Sequence, residues 1–295
     1  MNMRQQMAKT LEELMEYDKR LVVVLAEISY SLFNKNNVAF AKRILNLGIM
    51  EQTMVSVAAG IAMEGLIPVV HSITPFLAER PFEQIKDDFC YQQLGGNFIS
   101  TGASYDYSEE GMTHHGSGDV QILRSLPGMQ IVVPGTPGEF DALFREVYAN
   151  GSPTYYRLAV KINPVKYPVR FGEMVVVKQG KQATVIAVGP MLASVLPAVE
   201  DMDVTVLYCT TVAPFDGETL RAASQSSNIV VVEPYYEGVL VPDICAAMKQ
   251  TPIRVETIGV PHKVLTHYGK PEQHDVALGL TPGGIRLKIE RFLND

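Results

Sequence analysis

The sequence has 295 residues, 47% of them hydrophobic and 19% charged, with a formal net charge of −7 at pH 7. This composition is globular, and the length allows one large domain or two ordinary ones. The acidic balance disfavours a nucleic-acid partner, because it offers no basic surface to a phosphate backbone.

Targeting and redox signals point to the cytoplasm. Cys90, Cys209 and Cys245 are far apart and form neither a disulfide framework nor a metal-ligand pattern, which fits a reducing compartment. Residues 1–18 lack the apolar core of a signal peptide, and no apolar run approaches the ~20 residues that span a bilayer. We therefore expect a cytoplasmic protein without a membrane partner.

The first half of the chain alternates between strand and helix patterns. Apolar runs predict strands over residues 21–26, 44–47, 68–73, 98–101, 129–133 and 154–158. One helix is predicted over 74–93, with Phe82, Ile85 and Phe89 at core spacing. The polar segment 102–119 is long for a simple connection, which favours a functional loop.

Prolines and glycines between residues 160 and 180 interrupt this pattern and predict a domain boundary. A second series of strands follows at 183–188, 204–208, 229–233 and 253–258, with a closing helix over 283–292. The sequence thus predicts an α/β fold of two consecutive α/β domains with mostly parallel sheets. The predicted domains are 1–162 and 181–295, joined by a linker at 163–180.

Glu51 lies where the short strand 44–47 meets a helix of small and apolar residues. A carboxylate at a helix start is most often a cap, stabilised by the free amides and the helix dipole. Glycine in a helix interior costs ~1 kcal/mol relative to alanine, so Gly60 predicts close packing of this helix against another element.

Two other segments are candidates for chemistry: the loop with His114 and His115, and the aromatic segment 74–82. Each also has an ordinary explanation, as a solvated loop and as core aromatics. The chain has no Gly-x-Gly-x-x-Gly after a strand, no Walker loop and no Gly-x-Ser-x-Gly elbow. Adjacent histidines seldom bind one metal well, so no metal site is predicted.

Considered together, these segments resemble one family. Gly48-Ile49-Met50-Glu51-Gln52 is similar to the Gly-Ile-x-Glu-His/Gln segment of the transketolase superfamily of thiamine diphosphate enzymes. The family's later motifs follow in order, at Phe76, at Gly111-Met112-Thr113-His114-His115 and at Leu126-Pro127-Gly128-Met129. Val232-Glu233 with Glu237-Gly238, and Gly259-Val260-Pro261, extend the resemblance through the second half.

The resemblance implies a pyrimidine-binding domain followed by the family's C-terminal domain. It assigns Glu51 to ring N1′ of the cofactor and Phe76 to stacking on the aminopyrimidine, with Ile49 and Phe82 as further cofactor contacts. It makes Glu51 and His114 the catalytic residues. The substrate contacts that it suggests are Arg80, Glu110, His114 and Lys161.

The family's Gly-Asp-Gly…Asn segment, which holds Mg²⁺ and the diphosphate, does not occur in this sequence. The chain therefore resembles the C-terminal half of a split transketolase. This implies an N-terminal, diphosphate-binding partner subunit in an α2β2 assembly, with thiamine diphosphate between the subunits and Mg²⁺ on the partner. The small-residue helix after Glu51 is expected at a subunit interface, and the substrates are expected to be small sugars or aldehydes.

Some positions depart from the family pattern. Glu110 replaces the usual Asp, Met112 replaces Pro, and the region after strand 154–158 lacks the Arg that grips the sugar phosphate. A Lys such as Lys161 is not equivalent to a bidentate Arg. The leading hypothesis is transfer of a two-carbon ketol unit. The alternatives are a 2-oxo acid dehydrogenase β subunit, a 1-deoxyxylulose-phosphate-synthase-like enzyme and a non-catalytic assembly subunit.

Overall fold

The computed structural model describes residues 1–33 and 38–295. Their strands, in chain order, are β1 (Leu21–Leu25), β2 (Ile44–Asn46), β3 (Ile67–Ile73), β4 (Gly96–Thr101), β5 (Gln130–Val132), β6 (Pro153–Arg157), β7 (Val175–Lys178), β8 (Ala183–Val188), β9 (Val204–Cys209), β10 (Thr211–Ala213), β11 (Asn228–Tyr236) and β12 (Arg254–Val260). Within this described part they form a seven-stranded sheet, ordered β10-β5-β6-β4-β3-β1-β2, and a five-stranded sheet, ordered β12-β11-β8-β9-β7.

Helices cover both sheets. They are α1 (Met3–Tyr17), α2 (Val38–Ala41), α3 (Glu51–Met63), α4 (Thr74–Ala78), α5 (Phe82–Gln84), α6 (Asp119–Leu123), α7 (Pro137–Val147), α8 (Leu192–Ala198), α9 (Gly217–Ala223), α10 (Val241–Ala247), α11 (Pro271–Leu278) and α12 (Pro282–Asn294). A π-helical segment, Ile85–Tyr91, continues α5.

The predicted α/β fold with mostly parallel sheets is confirmed. The strands β1 to β6 pair in parallel, as do β8, β9, β11 and β12. All five residues of β1 are buried, because helices cover both faces of the sheet. This is why an uninterrupted apolar run, rather than an alternating one, marks this strand in the sequence.

The two halves of the chain interlock. Strand β10 comes from the second half but pairs antiparallel with β5 in the first sheet. Strand β7 lies within the predicted linker, 163–180, and pairs antiparallel with β9 in the second sheet. Both hydrophobic clusters also contain residues from each half, so the two sheets share their core.

The single helix predicted over 74–93 is wrong in one respect, because it is interrupted between Ala78 and Phe82. Pro81 has no N–H to donate, and its ring disfavours a helical conformation at the preceding residue, Arg80. The backbone N–H of Arg80 instead bonds to the carbonyl oxygen of Pro75 at 3.3 Å. This break sets Arg80 at a corner beside the start of α3.

Candidate active site

Glu51 is the first residue of α3, and its carboxylate faces inward. The residue is only 3% exposed. Its Oε1 accepts a hydrogen bond from Ser72 Oγ at 3.3 Å, and its Oε2 is 3.1 Å from Arg80 Nη1. The N-terminal end of the helix dipole favours the negative charge. Its contacts with the end of β3 and the corner after α4 give Glu51 more than the capping role expected of a helix-start carboxylate.

Phe76 and Arg80 form the wall next to this carboxylate. The guanidinium carbon of Arg80 lies 3.7 Å from the centroid of the Phe76 ring, a cation–π distance. The Arg80 side chain is 44% exposed, whereas that of Glu51 is 4% exposed. The Glu51 carboxylate is therefore buried and the Phe76 ring half-buried, while the Arg80 side chain reaches both groups from the solvent side.

His114 completes the group of predicted residues that the fold brings together. Its ring is 5.0 Å from the Phe76 ring, edge to face. The Thr113 hydroxyl oxygen is 2.9 Å from His114 Nδ1. Glu51, Arg80, Phe76 and His114 thus form one continuous row of contacts at the carboxyl end of β3, the edge where ligands bind in parallel sheets.

The loop that carries His114 is closed at its base. The N–H of Gly116 bonds to the carbonyl oxygen of Ser104 at 2.7 Å, and buried Arg157 donates to Ser104 Oγ at 2.9 Å and to Gly116 O at 3.1 Å. Arg157 Nε also donates to Asp119 Oδ2 at 2.8 Å. This buried ion pair fixes the loop that presents His114.

His115 faces the other side of the loop. It is 4% exposed, and within the described part of the chain neither of its ring nitrogens has a hydrogen-bond partner. Burial lowers its pKa, and the charges of His274 and His114 lower it further. A cavity of about 310 Å³ adjoins it, bounded by both halves of the chain. His115 is therefore not part of the row formed with Phe76.

The remaining predicted site residues are more dispersed. Ile49 is 70% exposed beside the start of α3, and Glu110 is exposed on the His114 loop. Phe82 is half-buried against the apolar core. Lys161 points to the second half, where its ammonium pairs with Asp275 Oδ2 at 2.8 Å. None of the described contacts joins Lys161 to Glu51 or to Phe76.

Sequence reasoning missed Ser72 and the roles of Arg157 and Asp119. Ser72 is near the carboxyl end of β3, and a polar residue at that position of a buried parallel strand was a usable signal. No local pattern distinguishes Arg157 or Asp119, since their pairing spans 38 residues of sequence.

Residues 1–162 match the model of the transketolase pyrimidine-binding domain, and residues 172–285 match that of the transketolase C-terminal domain. The chain belongs to the transketolase family. The predicted family is thereby confirmed, and the family implies dependence on thiamine diphosphate.

Individual relatives match along most of the chain. An uncharacterized 33.6 kDa protein in the fasciation locus of Rhodococcoides fascians is 40% identical over 96% of this chain and 92% of its own length. The 6-deoxy-6-sulfo-D-fructose transketolase subunit SqwH of Clostridium sp. is 31% identical over 75% of this chain and 73% of its own. A solved structure described as a split gene transketolase, inactive beta4 tetramer, superposes with a TM-score of 0.85 at 28% identity, covering 99% of this chain and 98% of that one.

In the part of the chain that the structure describes, no group of three or more His, Cys, Asp or Glu side chains is arranged to hold a metal ion. None of the helices in residues 1–33 and 38–295 is both long and apolar enough to cross a membrane.

Proposed function

We propose that this chain is the pyrimidine-binding subunit of a thiamine diphosphate-dependent, transketolase-like transferase that moves a two-carbon ketol unit from a ketose to an aldehyde. The observation that carries the proposal is the row of contacts that joins Glu51, Phe76 and His114. It unites a buried carboxylate, a half-buried aromatic ring and an imidazole, the three groups that the family resemblance assigns to the cofactor and the reacting sugar.

The residues present fit an aminopyrimidine. A flat cation already stacks on Phe76 while donating a hydrogen bond to Glu51, so the space between them admits a planar group with a donor at its edge. In the proposed role the Glu51 carboxylate would accept a hydrogen bond from N1′–H of the ring, favouring the tautomer that carries this proton, and Phe76 would hold the ring by stacking. When bound, thiamine diphosphate supplies the carbon nucleophile that attacks the donor carbonyl.

His114 is proposed to act on the substrate side. Its ring contacts Phe76 edge to face and is half-buried, so part of the imidazole remains accessible. An imidazole there is suited to hydrogen-bond the sugar hydroxyls or to hold a proton at the reacting oxygen. Glu110 and the Arg80 guanidinium are further candidates for contact with the substrate.

A partner subunit is proposed to bind the diphosphate and Mg²⁺. The exposed face of α3 supports an interface, since Gln52, Thr53, Ser56, Val57 and Gly60 are all uncharged. Apart from its chain neighbours and the backbone of its own helix, a Cβ added at Gly60 would meet no atom of the described residues within 4 Å, so the close packing predicted for this glycine is not made within that part of the chain. The related split-gene transketolase described as an inactive β4 tetramer is consistent with a chain that needs its partner.

The donor sugar is proposed to be bound without the usual phosphate-gripping arginine. Lys161, the alternative cation, is already paired with Asp275, and Arg157 is buried in its pair with Asp119. The donor is therefore expected to be an unphosphorylated or otherwise modified ketose. The related Clostridium subunit, named for a sulfonated fructose, makes 6-deoxy-6-sulfofructose a suitable member of a substrate screen beside fructose and fructose 6-phosphate.

Glu51→Gln in the complex with the partner tests the proposal. Turnover is expected to fall at least about a hundredfold, because the amide cannot replace the carboxylate that activates the cofactor. Glu64→Gln, at the exposed end of the same helix, is the matched control and is expected to retain activity. Near-normal turnover by the Glu51 variant would show that the assigned role is wrong.

A further inference from the structure

The Arg80 side chain occupies the space that the proposed function gives to the aminopyrimidine. Its guanidinium lies 3.7 Å from the Phe76 ring centroid and 3.1 Å from Glu51 Oε2. A single flat group thereby uses both an aromatic face for stacking and a carboxylate for a charged hydrogen bond. These are the two contacts that the cofactor ring requires.

We propose that Arg80 occludes the aminopyrimidine site of this subunit and has to leave the site before thiamine diphosphate binds. The inference rests on the proposed function, because that function assigns Glu51 and Phe76 to the cofactor ring. Arg80 then competes with the cofactor for Glu51 and Phe76, because the fold holds its guanidinium where the cofactor ring would bind.

The chemistry of arginine suits this role. Its guanidinium is planar, delocalised and weakly hydrated, so it stacks on an aromatic ring and donates to a carboxylate in the same pose. A lysine ammonium lacks the flat surface that stacking needs. Arg80 also gives Glu51 a partner, and an unpaired carboxylate buried in this site would be costly.

The structure also explains why Arg80 is the group that moves. Glu51 is held in α3, and its side chain is 4% exposed, whereas the Arg80 side chain is 44% exposed. Arg80 lies in the break between α4 and α5, outside both helices. Rotation of the side chain into solvent therefore clears the site without disturbing a core element, and leaves the guanidinium near the mouth for the substrate.

Occlusion weakens the measured binding of the cofactor. The measured association constant equals the association constant of the open site multiplied by the fraction of molecules in which the site is open. A partly exposed ion pair and a cation–π contact are each modest interactions. Together they predict that removing the Arg80 side chain tightens thiamine diphosphate binding by about threefold to tenfold.

The experiment is calorimetric titration of thiamine diphosphate, with Mg²⁺ present, into the full-length chain complexed with its partner. Arg80→Ala is expected to bind the cofactor about threefold to tenfold more tightly than wild type. Arg20→Ala removes an arginine that pairs with a carboxylate elsewhere, Asp18, and is expected to leave the dissociation constant unchanged. Unchanged or weaker binding by the Arg80 variant would overturn the proposal.

Added small cations distinguish occlusion by the flat guanidinium from a simple effect of its positive charge. Methylguanidinium added to the Arg80→Ala complex should refill the space and compete with the cofactor, whereas methylammonium, of equal charge but without a flat face, should compete less. Equal effects of the two cations would refute occlusion by the guanidinium.

Two further variants distinguish failure of this inference from failure of the proposed function. Glu51→Gln and Phe76→Leu are expected to weaken cofactor binding in the same titration. If neither does, the assignment of the cofactor site is wrong. If both do and Arg80→Ala does not strengthen binding, the site assignment stands and only the occlusion is rejected.

Discussion

The burial and hydrogen bonding of His71 predict that the free energy of unfolding depends on pH. The residue is fully buried on β3, with Nδ1 2.7 Å from the carbonyl oxygen of Ile99 and Nε2 2.8 Å from Ser29 Oγ. A carbonyl oxygen only accepts, so Nδ1 carries the proton and neutral Nε2 accepts from the Ser29 hydroxyl. Ser29 Oγ in turn accepts from Arg4 Nε at 3.1 Å. The arrangement suits a neutral imidazole.

The pKa of His71 is lowered from 6.5 to about 4, because the effect of burial, assisted by the charge of Arg4, outweighs the hydrogen bond to Ile99 that raises the pKa. The unfolded chain therefore binds more protons than the folded chain between these two values. The contribution of His71 to stability is complete above pH 6.5 and is lost as the pH falls toward 4. Between pH 7.5 and pH 5 the loss amounts to about 2 kcal/mol.

The assay is denaturant unfolding at several pH values between 7.5 and 5, for wild type and for His71→Gln. The variant is expected to be less stable throughout but to have a shallower pH slope, by about 2 kcal/mol over this range. His267→Gln, at an exposed position, is the control and should keep the wild-type slope.

A direct measurement remains decisive if the variant does not fold. With ¹³Cε1-labelled histidine, the resonance assigned to His71 in the folded wild-type protein should show no titration between pH 7.5 and 5.5. A full set of resonances titrating near pH 6.5, or equal pH slopes for wild type and His71→Gln, would refute the reasoning.

Two further predictions concern packing. Arg157→Met is expected to destabilise the chain by about 3–5 kcal/mol, because it leaves the buried Asp119 carboxylate without its partner. Thermal unfolding measures this loss of stability. The double variant with Asp119→Asn should recover part of it. Gly60→Ala is expected to raise stability by up to ~1 kcal/mol, whereas Gly60→Lys should block assembly with the partner in size-exclusion chromatography. Normal assembly of Gly60→Lys would place the interface elsewhere.

Much of the fold was predictable because its strands are buried on both faces. The run at residues 21–25 is apolar throughout, and the structure places all of it inside the first sheet. The single helix over 74–93 was predicted incorrectly because apolar spacing outweighed the signal of Pro81. The spacing of Phe82, Ile85 and Phe89 still identified residues that pack against the core.

The sequence predicted which residues form the candidate site but not the contacts between them. Glu51, Phe76 and His114 were identified through family motifs, and the fold brings them into one row. Lys161 shows the limit of that reasoning, because its pairing with Asp275 joins residues 114 positions apart. A local sequence pattern does not show which cationic side chain, from a distant part of the sequence, will pair with a given carboxylate.

The sequence by itself determined the alternation of strands and helices, the family, and the order of the residues around Glu51. These features are local, since hydrophobic periodicity and short motifs reflect the geometry of neighbouring residues. Only the tertiary structure decided that β10 completes the first sheet, that Arg157 closes the loop of His114, and that Arg80 lies on Phe76 against Glu51. Those outcomes depend on packing and hydrogen bonding between segments far apart in the chain. The carboxylate at the start of α3 is therefore recognisable from sequence, but the group that holds it is visible only in the fold.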